Sequence, residues 1–475
     1  MTHVVLITAD DLNWNSVGAY GCRTPGGTPH IDALAAEGVR FEHGHVTIAV
    51  CQPSRGALMT GCYPHRSGQE GFYPIDGFRF PLLPEALRRA GYLNGILGKV
   101  GHSSPRAGFP WDYRIDMPEL GWGRDADRYG RCVAAFVAQS RQANKPFFLM
   151  ANAHDPHRPF HGHDARLQGK EGITYPPPSR TYAPHEVEVP GFLPDLPEVR
   201  KEMAEYAGSV RRCDDVVGRI VRELKTAGVL ENTLLLFLSD NGMAFPFSKS
   251  NCYLHSTKTP WIVTWPGRIG AGGVDREHFI SGIDLLPTVL DAVGVAVPDG
   301  VDGRSFLPVL QGQTDGGRDC VFTQYHETYA RDRYPMRCVQ DRRFGYIFNP
   351  WSDGQRTYRS ESQSGRTFKA MQAAAARDAG IADRVALYVH RVPEELYAFE
   401  KDPDARVNLI DDPAYASELA RLRARLEAWM VAYADPALEV FRDRASGAAR
   451  DSFMAEQALR SRRLRAQGAT GRRDV

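Results

Sequence analysis

Short apolar runs punctuate the first 265 residues and alternate with stretches of helical spacing. The runs HVVLITA (3–9), YLNGILG (92–98), PFFLMAN (146–152), TLLLFLS (233–239) and PWIVTW (260–265) are too short for helices. They are apolar almost throughout, so they read as strands buried on both faces. Between them, 28–37, 83–90, 127–143 and 198–227 carry the helical period. In the last of these, Met203, Tyr206, Val210, Val217, Ile220 and Leu224 mark one face. Strands alternating with helices predict an α/β fold, a large and mostly parallel central sheet flanked by helices. Residues 155–197, rich in Pro, His and Gly, read as a long loop over the sheet's edge, a length that in compact domains is often functional.

After DLLPTVLDAVGV (284–295) the pattern changes. Shorter strands are predicted at 319–324, 336–341 and 344–348, then an amphipathic helix over 416–433 with Leu419, Leu422, Leu426, Trp429 and Met430 on one side. This is a smaller C-terminal α+β domain with a short antiparallel sheet and a helix. The chain divides into residues 1–315, residues 316–440 and a basic tail, 441–475. The tail's arginine-rich end reads as a solvated helix and frayed terminus rather than an oligomer arm or a polyanion-binding arm.

Composition narrows the function classes. The 475 residues are 43% hydrophobic, enough for a large core, and a formal net charge of +1 gives no global signal for nucleic acid. No apolar run approaches a membrane span, and the start lacks the pattern of a secretory leader. The expectation is a cytoplasmic protein as written, periplasmic or secreted only if a leader was removed. Eight cysteines are scattered without a CxxC pair, which argues against a disulfide framework or a zinc site.

One cysteine stands apart. In VCQPSRGALMTG (50–61), Cys51 precedes Pro53 and Arg55 where a helix begins. Proline suits a first helical turn, and the unpaired backbone N–H groups there favour an anionic group. Several strands also end in polar clusters: Asp10-Asp11 after the first, Lys99 and His102 after the second, His154, Asp155 and His157 after the third, Asp240-Asn241-Gly242 after the fourth. In an open α/β sheet these ends meet at one edge. Singly, each has a plain role as cap or turn. Together they form an oxygen-only donor set suited to a hard cation such as Ca²⁺ or Mg²⁺. Beside it, Arg55, Lys99 and Lys249 form a cationic clamp for a tetrahedral anion.

CQPSRGALMTG resembles the sulfatase signature, in which the cysteine of C-x-P-S-R becomes formylglycine. The other polar strand ends fall in that family's order. HDPHRPF, SDNGMAFPFSKSNCY, HETYARDRYPMR (326–337) and ELYAFEKDPDARVNL (395–409) are most similar to the sulfamidase branch, the heparan N-sulfatases. The resemblance implies an alkaline-phosphatase-like fold. It makes Asp10, Asp11, Asp240, Asn241 and the modified Cys51 ligands of Ca²⁺, with Mg²⁺ as the alternative. Arg55 would hold the formylglycine hydrate, Lys99 and His102 would sit by the sulfate and the hydrate, and His154 and Lys249 would face the leaving group. Lys258 is the fallback for Lys249. His157 and Arg158 are candidates either to bind the sugar or sulfate or to stabilise the loop, and His326, Glu327 and Arg337 to line the pocket from the second domain. The third motif departs from many sulfamidases, because Val100 and Gly101 both separate Lys99 from His102.

The implied partners are a sulfated saccharide and, during maturation, a formylglycine-generating enzyme, with no nucleic acid and no membrane; homo-oligomerisation is left open. Rival readings are an O-sulfatase on sugar or aryl sulfates, a phosphonate or phosphodiester hydrolase of the same superfamily, and a non-catalytic binder of sulfated glycans.

Overall fold

The computed structural model describes residues 2–75, 77–80, 82–106, 108–162 and 175–470, side chains of 467–470 excepted. The apolar runs form β1 (His3–Asp10), β3 (Leu93–Leu97), β5 (Phe147–Pro156), β6 (Thr233–Ser239) and β7 (Trp261–Thr264). Three further strands complete the sheet: β2 (Val39–His45), β4 (Tyr113–Ile115) and β8 (Gly273–Ser281). Their order is β4-β3-β5-β1-β6-β7-β2-β8. Every neighbouring pair is parallel except those made by β7, which runs against both β6 and β2. β2 and β8 escape a reading by hydrophobicity because VRFEHGH and GVDREHFIS carry many charged or histidine side chains. β8 is an edge strand, where such residues discourage pairing with another chain.

Alternate residues of β1 feed two cores. Val5 and Ile7 pack on the face covered by α1 (Pro29–Glu37), α5 (Ala126–Ala143) and α6 (Pro197–Thr226); Val4 and Leu6 pack on the opposite face. That opposite face also holds Leu58 and Met59 of the helix Cys51–Thr60 and Leu83 and Leu87 of the helix Leu83–Arg89. The predicted loop 155–197 is partly core, since Phe160, Tyr175, Tyr182, Phe192 and Leu193 are buried; its residues 163–174 lie outside the described residues.

A second, antiparallel sheet has the order β12-β11-β10-β9, with β9 (Cys320–Glu327), β10 (Arg333–Asp341), β11 (Gly345–Phe348) and β12 (Glu394–Tyr397). Leu422, Leu426 and Met430 of the helix Ala416–Ala432 cluster with Val339, Tyr346 and Phe348 of this sheet. The end read as a solvated helix is helical, within Gly447–Thr470, but one side of that helix is docked. Phe453, Gln457 and Ser461 are buried, and Gln457 Oε1 accepts from Arg333 Nε at 2.8 Å. Its terminal residues 471–475 lie outside the described residues. The sheets are joined where Gln324 N donates to Thr47 O at 2.9 Å, four residues before Cys51.

A buried carboxylate fixes α1 onto α6. Thr28 makes no side-chain cap; Asp214 of α6 accepts from His30 N and Ile31 N at 3.0 and 2.8 Å instead. Asp214→Ala leaves those donors unpaired and is expected to cost about 1–3 kcal/mol. Denaturant unfolding at unchanged m-value checks it, and a midpoint equal to that of the parent chain would remove the capping role.

Candidate active site

Because all strands but β7 share one direction, the carboxyl ends of β1, β3, β5 and β6 open on one edge. The backbone there turns sharply. Asp11 and Lys99 have φ of 67° and 50°, a left-handed conformation that costs a non-glycine residue roughly 1–2 kcal/mol. Gly98, at φ 69°, leads into Lys99; a Cβ on it would lie 2.7 Å from Asn152 O. Such strain concentrates at functional sites.

Beneath that edge lies Arg55, fully buried on the helix Cys51–Thr60. Its Nε donates to Asp240 Oδ2 at 3.1 Å, and Nη2 forms an ion pair with the same oxygen at 2.8 Å. Its Nη1 donates to Thr8 Oγ1 at 2.8 Å and to Asn152 Oδ1 at 2.6 Å, and Nη2 lies 3.5 Å from Asp10 Oδ2. Asn152 Nδ2 in turn donates to Gly98 O at 2.8 Å. One guanidinium thus gathers the ends of β1, β5 and β6, and through Asn152 that of β3.

Above it the acidic groups crowd together. Oxygens of Asp10, Asp11 and Asp240 lie within 4.8 Å of one another, all buried. Lys99 Nζ contacts Asp10 Oδ2 at 2.5 Å, and Lys249 Nζ bridges Asp11 Oδ2 and Glu361 Oε2, both at 2.9 Å. Burial raises the Asp10 carboxyl, but Lys99, His157, Arg55 and His154 together pull it well below its ordinary range. Burial and the Asp10 charge push Asp11 up to about 7 against the pull of Lys249, and Asp240 up to about 6 against that of Arg55. Carboxyls held this high for want of positive charge are what a bound cation would relieve.

A divalent cation fits these residues. Asn241 Nδ2 donates to Asp11 Oδ1 at 2.7 Å, while Asn241 Oδ1 is buried without a partner beside three carboxylates. An oxygen-only set of this kind suits a hard cation. Cys51 heads its helix with Sγ 3.4 Å from Asp10 Oδ1. Burial, then Asp10, push its thiol well above the usual range, so a thiolate nucleophile is disfavoured here.

Three half-buried histidines complete the wall. The rings of His154 and His157 lie 4.8 Å apart, and His157 Nε2 is 3.7 Å from Glu361 Oε1. Burial, then Lys99 and Arg124, hold His154 well below its ordinary value. Burial and Lys99 lower His102 to about 3, and burial and Lys249 lower His157 to about 4. Both His102 and His154 keep a buried Nδ1 without a partner.

Lys249 is the lysine brought against the carboxylates; the fallback, Lys258, lies over the Trp14 ring at 3.9 Å and 4.0 Å from Glu42. Four other candidates are engaged by protein partners. Arg158 is engaged by Glu202 at 2.7 Å and Ala244 O at 3.0 Å and stacks on Phe160, so it braces the loop. Arg337 is buried in a two-pronged pair with Asp435, at 2.5 and 3.0 Å. His326 is buried against Gln324 at 2.6 Å, and Glu327 is buried against Arg333 at 3.0 Å. Arg337, His326 and Glu327 are thus engaged within and around the second sheet.

Glu361 was missed. It arrives from RSESQSGR, in a helical turn at 361–364, and nothing in that stretch announces it. Asn152 was missed too, although its position near the end of an apolar strand was a signal.

A family model described as Sulfatase matches residues 2–295, and one described as N-sulphoglucosamine sulphohydrolase, C-terminal, matches 243–352. The chain is 32% identical over 469 residues to human N-sulphoglucosamine sulphohydrolase, covering 91% of each. Among solved structures it resembles BT4656 in complex with its substrate D-glucosamine-2-N,6-O-disulfate, with a TM-score of 0.68, 20% identity and coverage of 92% and 98%. It also resembles the phosphonate monoester hydrolase of Agrobacterium radiobacter, with a TM-score of 0.62, 21% identity and coverage of 90% and 96%. At such identities these two likenesses speak to fold alone.

The carboxylate cluster predicts a cation-dependent stability. Ca²⁺ added to chelator-treated protein at a hundredfold excess over its dissociation constant is expected to stabilise it by about 2.7 kcal/mol. Asp11→Asn should shrink that gain. A thermal midpoint indifferent to Ca²⁺ and Mg²⁺ would take the cation away from this set.

Proposed function

The chain belongs to the sulfatase family, and we propose that it removes N-linked sulfate from glucosamine residues of heparan-like saccharides. In this reading Cys51 is matured to formylglycine and a divalent cation, Ca²⁺ before Mg²⁺, is held by Asp10, Asp11, Asp240 and Asn241. The observation that carries the reading is Cys51 Sγ at 3.4 Å from Asp10 Oδ1, beside the three-carboxylate cluster, in a chain whose matched relative is a sulphohydrolase of N-sulphoglucosamine. Sulfate transfer follows from the family. The C-terminal family match and that relative's name support the preference for nitrogen over oxygen.

When present, the formylglycine hydrate supplies an oxygen nucleophile and the cation lowers its pKa. The chain's own residues do the rest. Arg55, already locked on Asp240, orients the head of the Cys51 helix. Lys99 and Lys249 are the cations available to the sulfuryl oxygens. In the free protein each is engaged by a carboxylate, so a sulfate exchanges one anion for another at both ammonium groups. His154 donates a proton to the departing nitrogen. Burial, then Lys99 and Arg124, disfavour its protonated form, and a bound sulfate offsets the charge of Lys99 and Arg124. His102, held neutral beside Lys99, is the base.

O-sulfate hydrolysis is the second reading, since Lys99, Lys249 and the cation address any sulfuryl group. Cys51→Ala is expected to abolish sulfate release with an unchanged thermal midpoint, and Cys51→Ser to stall after one turnover. The peptide containing Cys51 should be lighter than its cysteine form. Sulfate release from N-sulfated glucosamine, compared with the same sugar sulfated at O6, tests the linkage; release only from the O6 sugar would discard the N-sulfatase reading and keep the sulfatase.

A further inference from the structure

The arginine-rich end, read from sequence as a solvated terminus, is docked beside the rim of the active site. Two ring contacts lead outward from the wall. His102 meets the edge of Phe72 with centroids 5.5 Å apart, and Phe72 meets Tyr329 at 5.1 Å. Tyr329 is 75% exposed, the most exposed large apolar side chain among the described residues. It sits at the tip of the turn joining β9 to β10, and that turn is held in place. Thr328 N donates to Asp332 O at 3.0 Å, Asp332 N to Thr328 Oγ1 at 3.2 Å.

The helix Gly447–Thr470 grips the same turn. Ser461 Oγ donates to Arg331 O, the Arg331 guanidinium donates to Leu464 O, and Arg465 pairs with Asp332 at 2.6 Å. Arg460 reaches Glu70 at 2.9 Å, in the segment that carries Phe72. Residues 327–333 and 460–465 together hold six arginines, against the carboxylates of Glu327, Asp332 and the nearby Glu70. Three positive charges remain uncompensated. Arg462 and Arg463 are exposed and have no ion pair among the described residues.

We propose that Tyr329 and the arginine face of this helix form a second saccharide subsite, which holds the sulfated units adjoining the one in the active site. The proposal rests on the sulfated-saccharide reading above and names the substrate as an oligosaccharide rather than a free sugar. An exposed aromatic ring suits the apolar face of a pyranose, with the hydroxyls left in water. Arginine forks match sulfate oxygens, two N–H groups to one group. The Tyr329 ring is continuous with the catalytic wall through Phe72, and the turn that carries it is joined to the helix at Ser461, Leu464 and Arg465.

Two measurements test it. With matured enzyme, kcat/KM is compared for N-sulfated glucosamine as the free sugar and as the terminal unit of a heparin-derived tetrasaccharide. The tetrasaccharide is expected to be preferred, and Tyr329→Ala to lower that ratio about fivefold. Calorimetry of the Cys51→Ala protein with the tetrasaccharide then reads binding without turnover. Adding Arg462→Ala and Arg463→Ala should weaken it about tenfold at low salt, a difference that salt erases. A length ratio and an affinity both untouched by these substitutions would overturn the subsite. So would an unchanged ratio with Tyr329→Ala converting an oligomer to a monomer, which assigns the face to a second copy. If neither sugar releases sulfate, the N-sulfatase reading fails, and the calorimetry still decides the subsite.

Discussion

The site depends on one buried guanidinium. Arg55 has no solvent exposure, and a charge so placed is tolerable only when paired and fully hydrogen-bonded. Its partners come from β1, β5 and the turn after β6, so the demand of one cation for acceptors sets how those strand ends stand relative to the helix that begins with Cys51. The dependence is mutual. Asp10 and Asp240 sit close enough to repel each other, and Arg55 lies against both. Remove the guanidinium and the carboxylates lose their counter-charge; remove a carboxylate and a buried cation is left short of partners.

The charge balance above Arg55 explains how an acidic site can receive an anion. Asp10, Asp11, Asp240 and Glu361 face Arg55, Lys99 and Lys249, four carboxylates to three cations. With every group ionised the cluster carries one excess negative charge, which repels sulfate and favours a metal. A bound divalent cation reverses the sign to one excess positive charge. On the proposed reading, electrostatics would favour the cation first and the sulfate second, because the first prepares the field that the second requires. Glu361, the more exposed of the two carboxylates on Lys249, pairs with that lysine from the open side of the pocket.

How much of this could be read beforehand follows from which constraints are local. Strands buried on both faces betray themselves by apolar runs, and residues that end such strands must gather at one edge, so Asp10, Lys99, His154 and Asp240 were legible. The reversal of β7 was not, because direction depends on a connection rather than on composition, and PWIVTW looks the same either way. Arg158, Arg337, His326 and Glu327 misled for a related reason. Polar side chains in a promising motif look alike whether they face a ligand or a buried partner, and only the partners Glu202, Asp435, Gln324 and Arg333 decide. The docking of the helix Gly447–Thr470 was hidden because its burial is intermittent. Phe453, Gln457 and Ser461 recur every four residues amid arginines, a stripe too narrow and too polar to register as amphipathic.

The burial that organises the site also constrains how it can be made. All ten residues of the helix Cys51–Thr60 are buried, and Cys51 itself is 2% exposed. Leu58 and Met59 belong to the sheet's core, Arg55 to the strand ends, and Gly56 lies against Gln69, whose Cγ would be 2.3 Å from an added Cβ. Pulling this helix out for an enzyme to act on the thiol would expose a buried charge pair and part of the core together, at a cost comparable to a large share of a domain's stability. A Cys51 that becomes formylglycine therefore has to be converted before the helix docks. On the proposed reading the order of events would be oxidation on the undocked VCQPSRG segment, then docking of Arg55 between Asp10 and Asp240, and then the cation, whose carboxylates come together as the strand ends close around that arginine.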